Sequence, residues 1–176
     1  QVREEAQAAL TWAQGLDRLA AGGLAEVVLS PLYQSEPVDC EPGVPPFCSA
    51  AVTGRWPAAI EELLERCQAI ERQLGRPADH SRRASRPIDV DILLAGDSVI
   101  ASPRLTVPHP LLRRRLFVLV PLRDIAPDWA VPPGRQTVAA LCARLLCRTP
   151  DAAALIRPWP TGGRSPSRKP PARGCA

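Results

Sequence analysis

The sequence predicts an α+β protein with an antiparallel sheet, and three observations carry the prediction. Apolar residues recur every three to four positions in residues 2–20, 57–75, 111–125 and 137–147, the period of a helix with one buried face. Extended signals occupy 24–34, 47–55 and 88–94. The resulting order is helix, strand, strand, helix, strand and a helical C-terminal part. One strand ahead of Gln1 would make it βαββαβ, the ferredoxin-like α/β sandwich, so on this reading the first strand is missing from the chain. A length of 176 residues suits one domain with a real core.

The elements follow in order. Val2, Ala6, Leu10, Ala13, Leu16 and Leu19 form a helical stripe that Gly22-Gly23 stops. In residues 24–34 (LAEVVLSPLYQ), Val27, Leu29 and Tyr33 fall on alternating positions, as in a strand. Residues 36–46 (EPVDCEPGVPP) are too rich in proline for a sheet interior and read as a loop. Residues 47–55 are the next strand. Pro57 opens a helix and Gly75 closes it, with Ile60, Leu63, Leu64, Cys67, Ile70 and Leu74 as its apolar stripe. Residues 76–87 form a basic loop, and Ile88–Leu94 is the clearest strand in the chain. Ala95-Gly96-Asp97 is a turn, and Val99-Ile100 with Leu105–Val107 a short return strand.

Composition narrows the class. No apolar run approaches the ~18 residues that span a bilayer, and the chain starts in an amphipathic helical pattern rather than a signal peptide, so a cytoplasmic protein is expected. Six cysteines form no CxxC pair, and two histidines lie at no zinc-like spacing from them, which points to reduced thiols. The net charge of +4 belongs to the end of the chain: Arg157, Arg164, Arg168, Lys169 and Arg173 leave 17 basic against 18 acidic residues in 1–156. The expected organisation is a folded domain over 1–156 and a basic Pro/Gly/Arg-rich disordered tail over 157–176. The domain itself is not basic, which argues against nucleic acid as its partner. The chain contains no methionine, so a segment upstream of Gln1 is expected.

Asp89 and Asp91 come first among residues that could carry chemistry. On a strand they share one face, with Ile88, Val90 and Ile92 on the other. Two neighbouring carboxylates need a compensating cation, and with a polyphosphate they make a Mg²⁺ site. A bare D-x-D also occurs on solvated strands and in other enzymes. The preceding loop, however, holds Arg76, Arg82, Arg83 and Arg86, and guanidinium groups bind phosphate oxygens in bidentate fashion. Glu71 falls in the apolar stripe of its helix, where it either reaches water at the last turn or accepts from a partner. His109 stands between Pro108 and Pro110, which stiffen its backbone. Phe47 and Phe117, the only phenylalanines, could stack on a flat heterocycle or simply fill the core.

Together these segments resemble the hydroxymethyl-dihydropterin pyrophosphokinase family. Arg86-Pro-Ile-Asp-Val-Asp-Ile-Leu-Leu-Ala-Gly96 is similar to its R-x-[LI]-D-[LIV]-D-[IL]-[LM] signature. Arg104-Leu-Thr-Val-Pro-His109, Arg115, Phe117, Pro121-Leu and Ile125-Ala-Pro127 follow at family spacing. Upstream, Ser30-Pro-Leu-Tyr33-Gln-Ser-Glu-Pro37 resembles the S-x-x-Y-x-[ST]-x-P strand, and Gln68-x-x-Glu71 with Gly75-Arg76 resembles the ATP-side helix and its exit. The resemblance runs from about Gln1 to Trp129. It implies transfer of diphosphate from ATP to 6-hydroxymethyl-7,8-dihydropterin in folate biosynthesis, with AMP released. Two Mg²⁺ ions would lie on Asp89 and Asp91. Arg76, Arg82 and Arg86 would act catalytically on the phosphates. Gln68, Glu71, Ile92, Arg104, Thr106, His109 and Arg115 would surround ATP. Phe47 and Phe117 would sandwich the pterin, with Ser35, Val38 and Ser49 along its polar edge. A monomer without membrane or nucleic-acid partner is implied.

The chain departs from the family pattern in places. Ser49 stands where Asn is usual, and Arg82-Arg-Ala-Ser-Arg86 replaces a common Arg-Trp-Gly-Pro-Arg. Ala78 replaces a frequent arginine, and the opening strand with its Gly-Ser-Asn turn has no counterpart. Three other functions would use parts of the same sequence: another D-x-D glycosyl- or nucleotidyltransferase, a non-catalytic relative that only binds nucleotide or pterin, and nucleic-acid binding through the tail.

Overall fold

The computed structural model describes residues 2–35, 46–75, 88–151 and 156–160. It shows a mixed α+β fold in which every strand pairing is antiparallel. Helix α1 (Val2–Ala21) ends where expected. Gly23 takes φ +113°, a left-handed conformation that only glycine enters freely, and Leu24 N–H donates back to the Leu19 carbonyl. Strand β1 (Ala25–Leu29) pairs with β4 (Val52–Arg55), and β2 (Tyr33–Ser35) pairs with β3 (Phe47–Ser49).

The strands expected over 24–34 and 47–55 are therefore each broken in two. Leu29 faces Val52 while Tyr33 faces Ser49, so four steps on one strand match three on the other. The extra residue falls in the Pro31-Leu32 step between the two ladders, where Pro31 has no N–H to give, and a further register shift lies between Ala25 and Val28. Ser30 holds the two halves together: its N–H donates to the Ala51 carbonyl at 2.9 Å and its Oγ accepts from Ala51 N–H at 2.9 Å.

Helix α2 (Ile60–Gln73) begins a little after Pro57, with Ala59 as N-cap and Glu62 Oε1 accepting from Ala59 N–H. It packs against α1 through Leu19, Cys67 and Ile70, with Leu24, Leu63, Leu74, Val90 and Ile92 around them. Arg66 crosses to α1, its Nη2 donating to the Arg18 carbonyl at 3.2 Å, and lies so close to Gly22 that a Cβ there would sit 2.3 Å from Nε.

The clearest predicted strand is not one. Residues 88–94 are extended, but among the described residues no second strand lies beside them, and a ladder needs a backbone partner on at least one edge. Their polar groups are met singly: Val90 N–H by Glu71, and the Leu93 carbonyl by His109 N–H at 2.9 Å. The turn after them is as expected, with Gly96 at φ +55°, and β5 (Ile100–Ala101) pairs with β6 (Thr106–Val107).

The helix expected over 111–125 is also divided. A 3-10 turn over Leu112–Arg114 places Leu112 fully inside, Arg115 is extended, and α3 (Leu116–Ile125) restarts so that Leu116, Leu119 and Leu122 face the same interior. Helix α4 (Val138–Arg148), capped by Thr137, closes this core with Val138, Leu141 and Cys142. Leu93 and Leu94 pack against this larger cluster while Val90 and Ile92 pack against the smaller one, so the 88–94 segment runs along the seam between them. One strand went unforeseen: β7 (Ile156–Pro158) pairs with the outer edge of β2, and Trp159 behind it is buried. Residue 156, expected to end the domain, opens that strand. No helix of the described residues is long and apolar enough to cross a membrane.

Candidate functional site

Alternation survives along the seam without a ladder. Ile88 is buried and Val90 and Ile92 are half-buried, while Asp89 and Asp91 are exposed. Glu71, only 3% exposed, explains how the segment is held: its Oε1 accepts from Val90 N–H at 2.8 Å, between the two aspartates. The oddly placed acid of the α2 stripe thus anchors the strip that carries the exposed pair.

A cleft of about 260 Å³ opens beside this strip. Asp91, Ile92, Arg104, Thr106 and His109 all line it, five of the residues singled out from the sequence, with Leu64 of α2 on the wall. The Ser102–Leu105 turn fixes Arg104, because Ser102 Oγ both donates to the Leu105 carbonyl and accepts from its N–H. Arg104 lies 3.5 Å from Glu65 Oε1, an exposed pair that water screens and a phosphate could displace. His109 is held at both ends. Its N–H donates to Leu93, and its Nδ1 accepts from Leu111 N–H at 3.2 Å. In the neutral ring the proton then sits on Nε2, which faces Asp91 Oδ2 at 3.9 Å.

Gln68 and Arg115 do not line this cleft, and Glu71 is turned to the strip rather than into it. Arg115 instead stands over the Phe117 ring, its Cζ 5.4 Å from the centroid. Arg76, Arg82, Arg86 and Val38 lie outside the described residues.

Ser35, Phe47 and Ser49 form a second group. Ser35 faces Phe47 and Tyr33 faces Ser49 across the β2–β3 ladder, and directly opposed residues project to the same side. Phe47 is 49% exposed and Phe117 38%, so neither of the chain's two phenylalanines fills the core. The sequence reading gave Tyr33 no role here, although a half-buried tyrosine usually finds a partner for its hydroxyl. Its OH donates to Asp124 Oδ2 at 2.5 Å. Burial first, and then the Asp124 carboxylate, pushes its pKa up to about 12. Burial likewise pushes the Cys48 thiol up to about 12 and that of Cys67 to about 11, which makes both poor nucleophiles.

Among the described residues no three His, Cys, Asp or Glu side chains cluster as a metal site. Two exposed carboxylates with room beside them suit an ion that keeps water and phosphate oxygens in its shell, and Mg²⁺ is such an ion. The fold and the cleft together define an α+β protein with one carboxylate of an exposed pair on the wall of a mixed polar and apolar cleft.

Sequence comparison narrows that class. Residues 4–127 match the sequence model of the 7,8-dihydro-6-hydroxymethylpterin-pyrophosphokinase (HPPK) family, and the chain belongs to that family. It is 40% identical over 141 residues to a 2-amino-4-hydroxy-6-hydroxymethyldihydropteridine pyrophosphokinase of Pseudomonas aeruginosa, covering 80% of this chain and 83% of that protein. A protein of the same name from Synechocystis is 38% identical over 106 residues, 60% of this chain and 54% of its own length. The mitochondrial folate synthesis bifunctional protein of Arabidopsis thaliana is 39% identical over 112 residues, 64% of this chain and 20% of that protein.

Proposed function

We propose that the chain transfers diphosphate from ATP to 6-hydroxymethyl-7,8-dihydropterin in folate biosynthesis, releasing AMP. The observation that carries the reading is the convergence of Asp91, Arg104, Thr106 and His109 on one cleft in a chain of this family. The pterin alcohol oxygen attacks the β-phosphorus, the bond from that phosphorus to the AMP oxygen breaks, and the hydroxyl proton is lost to solvent. Arg104, Thr106 and the Nε2–H of His109 supply donors to ATP along one wall, and Ile92 gives an apolar contact for the base. Gln68 and Arg115, which lie outside the cleft, would reach ATP only from beyond its walls, and Glu71 contributes by fixing the strip. Arg76, Arg82 and Arg86 would meet the phosphates from the preceding loop. Asp89 and Asp91 would hold two Mg²⁺ ions, which when bound offset negative charge on the phosphates. The flat pterin fits between Phe47 and Phe117, with Ser35, Val38 and Ser49 toward its polar edge. Most of the rate would then come from positioning and charge stabilisation.

The reading extends to a ferredoxin-like sandwich, supported by the order α1, the β1–β4 hairpin, α2 and the extended 88–94 strip. It also extends to a cytoplasmic monomer whose basic charge lies beyond residue 156, where β7 still joins the domain through β2 before the Pro/Gly/Arg-rich tail begins.

The test is AMP release by the complete gene product with ATP, Mg²⁺ and 6-hydroxymethyl-7,8-dihydropterin, alongside Asp89→Ala and Asp91→Ala. Pterin-dependent AMP that disappears in both variants supports the enzyme and its metal pair together. A folded protein that binds ATP and pterin but forms no AMP would instead be a binding module.

A further inference from the structure

We infer that Tyr33 and Asp124 are positioning residues that set the width of the pterin slot between the β2–β3 hairpin and α3. The inference rests on the reading of Phe47 and Phe117 as the pterin clamp, and it follows from where the Tyr33–Asp124 hydrogen bond falls. Helix α3 packs against β2, β3 and β4, and of the described side-chain hydrogen bonds this one joins α3 to the hairpin. Asp124 is seven residues beyond Phe117. Two helical turns bring it back to within about 20° of the same side, roughly 10 Å along the axis. The face of α3 that Asp124 turns to Tyr33 is therefore the face that bears Phe117.

The hairpin answers with the same geometry. Tyr33 and Ser35 project to one side, and Ser49 and Phe47 stand opposite them on that side. Tyr33 and Phe47 thus occupy one sheet face, and Asp124 and Phe117 one helix face. The bond ties together the two faces that bear the exposed rings, so it fixes one point of their separation. Asp124 is itself oriented, since its Oδ1 accepts from Arg123 Nη2 at 3.2 Å, and Arg123 Nη1 reaches the buried Cys142 Sγ at 3.9 Å on α4. The clasp is tied to the larger core on one side and to the sheet on the other, so the ring spacing inherits the rigidity of both.

The test uses the full chain with Tyr33→Phe, Asp124→Asn and the double variant. Three quantities are read for each: the Kd for 6-hydroxymethylpterin by its fluorescence, and the KM values for pterin and for ATP in AMP release. Loss of a single hydrogen bond that sets the slot raises the pterin Kd and KM about five- to twentyfold, while the ATP KM stays within about twofold. The double variant is no worse than the weaker single. Circular-dichroism melts show that the variants remain folded at assay temperature, and if one single variant does not, the other removes the same bond and decides the matter. A pterin Kd within about twofold of the parent in a folded variant overturns the inference, as does an equal rise for ATP and pterin. The parent chain separates this from the reaction itself. If it binds pterin but forms no AMP, the diphosphate-transfer reading fails while the Kd comparison still judges the clasp. If it binds no pterin, both fall.

Discussion

Replacing Glu71 with alanine removes the oxygen that receives the Val90 N–H at 2.8 Å, from a side chain only 3% exposed. A buried donor left without an acceptor costs about 1–3 kcal/mol. Val90 is half-buried, so water can satisfy part of the loss, and the lower half of that range applies, about 1–2 kcal/mol. Glu71→Gln keeps an acceptor oxygen in the same place and should cost less than about 1 kcal/mol. With a urea m-value of about 2 kcal/mol/M, the alanine variant unfolds about 0.5–1 M earlier than the parent and the glutamine variant lies between them. The same loss lets the strip carrying Asp89 and Asp91 move, so the KM for ATP rises in the alanine variant by more than in the glutamine one. Urea unfolding followed by circular dichroism and the AMP-release assay read the two effects. Equal midpoints for alanine and glutamine would refute the reasoning, because the bond to Val90 would then hold nothing.

Tyr33 is the only tyrosine in the chain, so tyrosinate absorbance reports it alone. The folded protein should titrate near pH 12 and the urea-unfolded chain near the usual value of about 10. A raised folded pKa means that the stability it reflects is complete below about pH 10 and is lost as pH climbs toward 12. Folded and unfolded titrations that coincide would contradict the burial of this hydroxyl. Thr137 Oγ1 accepts from Ala140 N–H at 3.2 Å at the start of α4, and Thr137→Ala should lower stability by about 0.5–2 kcal/mol in thermal or urea unfolding. Leu119 is fully buried between α3 and α4, and Leu119→Ala should cost about 2–5 kcal/mol by the same measurements.

Periodicity made the helices legible because each buries one stripe: the α1 and α2 stripes lie where Leu19, Cys67 and Ile70 meet. It also gave the alternation of Ile88, Val90 and Ile92 against Asp89 and Asp91, which depends only on extended backbone. It could not show whether that backbone would find a ladder, because pairing is a property of two segments and the described residues offer no second one. Pro31 was visible in the sequence, yet the break there, which divides one hairpin between two sheets, depends on Ser30 meeting Ala51. Strand β7 has only three residues and little alternation to read, and pairing with β2 is what gives it a place. At the site, the cleft residues Arg104, Thr106 and His109 came from one motif and stayed together. The Tyr33–Asp124 bond joins residues 91 positions apart and left no local signal.

The seam has a consequence for how this protein tolerates change. The carboxylate strip belongs to neither core alone: Val90 and Ile92 ride on the α1–α2 side, Leu93 and Leu94 on the α3–α4 side. Leu64 brings the first half to the cleft, and the 102–110 loop brings the other wall. Interior substitutions remote from any substrate therefore reach the chemistry by shifting one wall against the other. Two variants with the same melting temperature need not share the same turnover, and the cleft keeps a record of packing faults that thermal unfolding averages away.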